Sequence, residues 1–455
     1  HPTLEALLEG RSVEELRAAL LDAAKLHPEI VDDLEAFFST SSQRTGRAAS
    51  SPTPSSQNLT LIERTIIAEI RSAARQPTRG YDVFGDHPLG LDYERILAPA
   101  LDMVRHSLDN RQLEAAQQYL ATAVHAWFQG VEDLDEWLWD EWGYELEQAA
   151  AHLDLCAAEA ILTDLLFNDP KKVRKNWSEL LADWNELYDF PFSITRTALE
   201  QGWDAPLVAA VLKGEITDQG LWKGEPPDWA NDLAQARLNA LERVERWQEY
   251  VYVAQAEGQY EAIPLGLVRL GQYAEALEEA QALFPALSYA GPDLWLSLAQ
   301  ALWDAGAQQV AIQAARSGLE QAQAQRHVYV EGLADWLKAR AAEVGDPELI
   351  LEAAQASFLS TFRLADYQTV QQLAGERWPK LRQTFMRKLE AAPPSNQIEV
   401  YLYEGLVEKA MQVYDRPAHR FYLRKSIFSQ IAEAARLTHP DWVIRHCAEE
   451  AAAIM

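Results

Sequence analysis

The sequence predicts an all-α chain built as a right-handed α-solenoid of antiparallel helix pairs, and three observations predict it. Apolar residues recur at three- and four-residue steps along most of the 455 residues, and no stretch alternates as a strand would. Between Gly258 and Gln321 four such stripes follow one another. They are Tyr260, Ile263, Leu267, Leu270; then Ala276, Leu277, Ala280, Leu283, Phe284; then Trp295, Leu298, Ala299, Leu302; then Val310, Ala311, Ala314, Ala315, Leu319. Two turn glycines, Gly271 and Gly306, stand 35 residues apart, and each is followed five residues later by alanine, Ala276 and Ala311. Glycine accepts the positive φ of a tight turn, and alanine lets paired helices approach closely.

That spacing matches the period of tetratricopeptide-like repeats, about 34 residues. In chain order, residues 3–38 predict two or three short helices, with Leu16, Leu20, Leu21 and Ala24 before Pro28 and Ile30, Leu34, Phe37 and Phe38 after it. Residues 39–58 are Ser, Thr, Pro, Gly and Gln with hardly an apolar group, which predicts a flexible linker. Helix resumes at Leu59 with Leu61, Ile62, Ile66, Ile67 and Ile70. Residues 79–91, with Gly80, Gly85, Pro88 and Gly90, read as a loop that packs Tyr81, Phe84 and His87.

Residues 91–108 and 113–128 form an expected antiparallel pair joined at Asp109-Asn110-Arg111. Helices are expected at 133–155, 177–187 and 233–254, and the Gly-, Pro- and Trp-rich stretch 202–228 marks a boundary. Past the central repeats, 329–344 is a helix, Asp346 caps the next and Pro347 fits its first position. Gly405 and Ala410 repeat the glycine–alanine signature, and helices at 418–437 and 441–452 end the chain. The expected organisation is therefore short helices over 1–38, a linker over 39–58, a helical domain over 59–228 and a repeat domain over 229–455.

Forty basic and 69 acidic residues leave a net charge of −29. Such a field repels a duplex or an anionic membrane, so direct nucleic-acid binding is not expected. No apolar run approaches the ~20 residues of a membrane span. Two distant cysteines, Cys156 and Cys447, make no disulfide framework and fit a reducing cytoplasm. The chain opens on His1 with no leader segment, as a trimmed product or a fragment would.

The stretch 132–142 pairs carboxylates with tryptophans. In an α/α-toroid acting on carbohydrate, Asp135, Glu136, Asp140 and Glu141 would be the candidate acids and the indoles would stack on sugar rings. Leu134, Trp137, Leu138 and Trp142 sit at helical spacing, so the plainer reading is a solvated acidic face over a Trp-bearing core contact. His125 and His152 fall inside amphipathic helices, and His439, His446 and Cys447 match no zinc template. No phosphate-binding loop, nucleophile elbow or His-Glu-x-x-His occurs.

No cofactor or metal is therefore expected, and the leading reading is a non-catalytic scaffold for a protein partner. Its candidate contact residues are Tyr250, Tyr260, Arg269, Tyr273, Trp295 and Trp303 from the repeats. Arg420 and Arg424 join them from a basic group that also holds Arg416 and Lys425. Two other basic groups, Lys171–Lys175 and Arg377–Lys388, read as solvated helix faces.

The order of several short segments resembles the helical region that follows the zinc motif in bacterial SWIM zinc-finger proteins. They are Pro2–Leu8, Val13–Leu16, His27-Pro28-Glu29, Gly271–Leu277, Val344–Glu348, Tyr367 with Leu373-Ala374-Gly375, Trp378–Arg382 and Thr438–Trp442. The Cys-x-Cys…Cys-x-His zinc motif of that family has no counterpart here, either removed upstream of His1 or lost, so no zinc ligand is carried over. The resemblance implies an accessory scaffold, in a family linked to Swi/Snf-type helicases; a separate alternative reading is an accessory factor in DNA repair or phage defence that acts through a partner.

Overall fold

The computed structural model describes residues 54–75, 91–217, 220–287, 291–325, 330–416 and 425–454. The short helices expected over 1–38, most of the linker, the 79–90 loop with Tyr81, Phe84 and His87, and Arg420 and Arg424 lie outside that set. Among the described residues there are twenty-one α-helices and no strand.

Seven helices enclose the first core: α1 (Ser56–Ala74), α2 (Tyr93–Asp109), α3 (Leu113–Glu132), α4 (Glu136–Phe167), α5 (Pro170–Leu187), α6 (Ser193–Gln201) and α8 (Ala230–Arg243), with the short α7 (Pro206–Val211) contributing nothing to it. α1 and α2 both pack on α3, while α6 and α8 pack on α4. α1 begins at Ser56 rather than Leu59, because the Ser55 hydroxyl accepts the backbone N–H of Asn58 at 3.2 Å. The last three residues of the expected linker are therefore its first turn.

α4 runs on to Phe167, twelve residues beyond the expected end. Leu153, Ala157, Ala158, Ala160, Ile161 and Leu162 are all buried, as are the polar Asp154, Glu159 and Thr163, so this half has no exposed face and carries no clear amphipathic signal. It stops where Asp169 caps α5, accepting from the N–H groups of Lys171 and Lys172 at 2.9 and 3.1 Å. Proline at the first position of α5 needs no donor there.

The second core lies between α8, α9 (Trp247–Ala256), α10 (Ala262–Arg269), α11 (Tyr273–Leu283), α12 (Pro292–Asp304), α13 (Gln308–Gln325), α14 (Glu331–Val344) and α15 (Pro347–Thr361), with Val208 and Val211 of α7 at its edge. The third is enclosed by α15, α16 (Leu364–Leu373), α17 (Trp378–Leu389), α18 (Pro394–Tyr403), α19 (Val407–Tyr414), α20 (Lys425–Ala435) and α21 (Pro440–Ile454). Single helices are shared walls. α8 gives Leu233, Ala236 and Ala240 to the first core and Leu238 and Leu241 to the second.

Several successive helices are joined by one turn geometry. At Gly271 (φ 77) the glycine N–H bonds the Val268 carbonyl and the next N–H, of Gln272, bonds back to Leu267. Gly306 (φ 82) does the same to Trp303 and Leu302, so both glycines sit at bends. Arg111 (φ 58) and Glu245 (φ 57) make this turn without glycine. The turn at Glu245 divides the stretch 233–254, expected to be continuous, into α8 and α9.

Neighbours in the order α10–α11, α12–α13 and α14–α15 pack as pairs, and α10 also touches α12, α12 touches α14, α11 touches α13 and α13 touches α15. The signature alanines Ala276 and Ala311 are wholly buried within this array, and Ala410 on α19 is wholly buried in the third core. Two glycines serve the same close approach. A Cβ on Gly266 would lie 2.7 Å from the Val251 side chain, and one on Gly318 would lie 2.5 Å from Trp295.

Candidate functional site

Six of the eight expected contact residues are described, and they divide by burial. Tyr250 and Trp295 are 7% and 1% exposed, so neither can meet a partner. Each stands on the apolar stripe of its helix: Tyr250 packs edge-on to Trp247, and Trp295 packs on Phe284 and donates its indole N–H to Gln321 at 2.8 Å. Burial also raises the Tyr250 hydroxyl pKa, with Glu242 adding to the effect.

The other four reach the surface. Tyr260 and Arg269 are exposed, and Tyr273 and Trp303 are half-buried. Arg269 lies over the Trp247 ring at 5.5 Å, and the Tyr273 hydroxyl donates to the Ala305 carbonyl at 3.4 Å. Trp303 meets Trp336 edge-on at 5.9 Å and carries Arg340 over its face at 5.3 Å. Trp247, Trp336 and Arg340 were absent from the sequence-derived set. Their half-burial places aromatic and guanidinium groups at the margins of consecutive helix pairs, a position that composition alone does not reveal.

The acidic, Trp-rich stretch forms the start of α4. Leu138 and Trp142 are buried, whereas Asp135, Glu136, Asp140 and Glu141 are all exposed; the side chain of Trp137 is outside the described set. None of the four carboxylates lines the cavity described next. Exposure of all four acids over buried Leu138 and Trp142 is the arrangement of a solvated acidic helix face.

A cavity of about 370 Å³ opens between α2, α4 and α8, lined by Arg105, Asp109, His152, Cys156, Glu159, Asn239, Glu242 and Arg243 among others. Its charges are largely spent on one another. Arg243 donates to Asp109 and to Glu159, both at 2.7 Å, and Asn239 donates to the second Glu159 oxygen at 2.8 Å. Burial pushes the Cys156 thiol up to about 12, which leaves it protonated and a poor nucleophile at neutral pH. Burial and the nearby Arg105 both lower the His152 pKa, favouring the neutral ring. These groups come from three helices far apart in sequence, and no motif announced them.

Other polar groups hold helices together. Buried Asp154 accepts the N–H groups of Ile194 and Thr195 at 3.0 and 2.8 Å, capping α6 from a different helix. Asp366 accepts from Lys338 at 2.5 Å, Ser357 at 2.7 Å and Arg363 at 2.9 Å, linking α14, α15 and α16. Arg237 and Glu257 are 0% and 2% exposed and stand 3.8 Å apart. Arg237 Nε and Nη1 and Glu257 Oε1 have no hydrogen-bond partner. Burial drives the Arg237 pKa down to about 10 and raises that of Glu257.

His446 is buried against Trp442 and bonded to Asp415 and Glu449, both at 2.9 Å, and Cys447 is exposed nearby. Exposed His125 bonds the Tyr188 hydroxyl at 2.8 Å. Among the described residues no group of three His, Cys, Asp or Glu side chains could hold a metal ion, and no helix is long and apolar enough to cross a membrane. No protein-family model matches the chain, and no curated protein or solved structure matches it.

Proposed function

We propose that the chain is a non-catalytic protein-interaction scaffold, a right-handed α-solenoid of tetratricopeptide-like helix pairs. One observation carries this reading: equivalent helices contact one another across consecutive pairs. Gln281 on α11 donates to Ser317 on α13 at 2.9 Å, and Arg316 on α13 pairs with Glu352 on α15; both links span 36 residues. A constant offset between equivalent helices is what a stack of like units produces, and such a stack offers an extended surface.

The margin bearing Tyr260, Arg269 and Trp303, with Trp247, Trp336 and Arg340, is the surface we assign to a protein partner. Aromatic and arginine side chains supply much of the affinity at protein interfaces. The resemblance to SWIM zinc-finger proteins makes a Swi/Snf-type helicase the first partner to try, with the acidic chain docking on protein rather than on DNA. Affinity capture with the full chain, in extract of the native host at moderate salt, tests the assignment. Wild type should retain a specific protein that the Tyr260→Ala/Arg269→Glu variant loses. Equal capture by both, or no specific protein at all, overturns it.

A further inference from the structure

The exposed face of α4 has a character of its own. Glu136, Asp140, Tyr144 and Glu147 follow one another along it, bordered by Trp139 and Gly143. Trp139 is 45% exposed and Tyr144 71%. Gly143, one turn beyond Trp139, places no side chain beside the rings, and a Cβ there would meet nothing within 4 Å. Asp133 just upstream is held by Arg71 at 2.6 Å, but Glu136, Asp140, Glu141 and Glu147 make no ion pair among the described residues. No lysine or arginine at all occurs between Arg111 and Lys171. The face therefore lacks positive charge on its own helix and on α3, and it leaves two large rings in water.

We propose that this face docks an arginine-rich segment of a protein partner. Guanidinium groups satisfy both halves of the surface: their planes stack on Trp139 and Tyr144, and their N–H forks bond the carboxylates. Lysine, a strongly hydrated point charge, satisfies only the second half. From Glu136 to Glu147 the stripe is about 17 Å long, which an extended segment of about five residues spans. This surface lies on the first core and uses none of the residues of the repeat margin, so the two assignments stand or fall separately.

The test is fluorescence anisotropy with the full chain and a labelled peptide of alternating arginine and alanine, against the matching lysine peptide. The arginine peptide should bind more tightly than the lysine peptide. Trp139→Ala/Tyr144→Ala and Asp140→Lys/Glu141→Lys should each weaken it by about tenfold. Asp183→Lys/Glu186→Lys makes the same charge change on exposed residues of α5 and should leave it unchanged. Equal weakening by the two charge reversals would show the peptide sensing only the average field and would overturn the proposal. So would equal affinity for the two peptides, or unchanged binding to the double alanine variant. All six side chains are exposed, so circular dichroism should report unaltered folding.

Discussion

The buried Arg237–Glu257 pair allows a sharp test of how the first two cores are joined. Arg237 lies on α8, the wall both cores share, and Glu257 ends α9. Replacing one partner strands the other charge where water cannot reach it. Arg237→Met or Glu257→Leu alone should each cost about 3–5 kcal/mol. The double variant removes both charges and leaves two smaller deficits. Gln201 loses the donor it accepts from at 2.5 Å, and the Trp222 indole loses an acceptor at 3.2 Å. Against these stands relief from a pair that already leaves three buried polar atoms unbonded. The double variant should therefore lie within about 2 kcal/mol of wild type, giving a coupling of about 4 kcal/mol or more. Urea unfolding with linear extrapolation reads all four proteins. Simple additivity of the two single losses would refute the reasoning, as would a single variant as stable as wild type.

Three further outcomes follow from named contacts. Gly318→Ala should destabilise by about 1–2 kcal/mol, because the fully buried Trp295 cannot yield to a Cβ 2.5 Å away; Gly332→Ala, whose nearest neighbour is 3.5 Å off, should stabilise by about 0.5–1 kcal/mol in the same unfolding assay. Asp154→Ala strands two buried N–H groups at the start of α6 and should cost about 2–4 kcal/mol, with Asp154→Asn recovering part of it. For His152, folding favours the neutral ring, so its contribution is complete above the unfolded pKa of about 6.5 and is lost as pH falls below it. His152→Gln should flatten the decline in stability between pH 7 and pH 5 in a urea titration.

How much of this was legible in sequence depended on whether a signal was local. Gly271, Gly306, Gly345 and Gly405 marked their turns because glycine is the residue that takes positive φ without strain, and all four do so. Arg111 and Glu245 adopt the same conformation with ordinary side chains, so the break between α8 and α9 had no marker. The far half of α4 was lost because burial on every side erases amphipathic period. Trp295 could have been placed correctly: it shares its stripe with Leu298, Ala299 and Leu302, all buried, and a bulky ring on that stripe faces inward. Arg237 carried a comparable signal, a lone charge between Leu233 and Leu241 at four-residue steps. The cavity lined by Arg105, His152, Glu159 and Arg243 had none, since only tertiary packing of α2, α4 and α8 brings those residues together.

The claim on which the rest depends is that equivalent helices of successive pairs lie side by side. Spin labels at Gln281 on α11 and Glu352 on α15, in a chain whose exposed Cys447 is replaced by serine, measure it directly. With α13 packed between them, two interhelix steps of about 8–10 Å predict one narrow distance distribution near about 20 Å by pulsed electron paramagnetic resonance. A broad distribution, or one centred beyond about 40 Å, would contradict the stacked arrangement and the partner surface assigned to it.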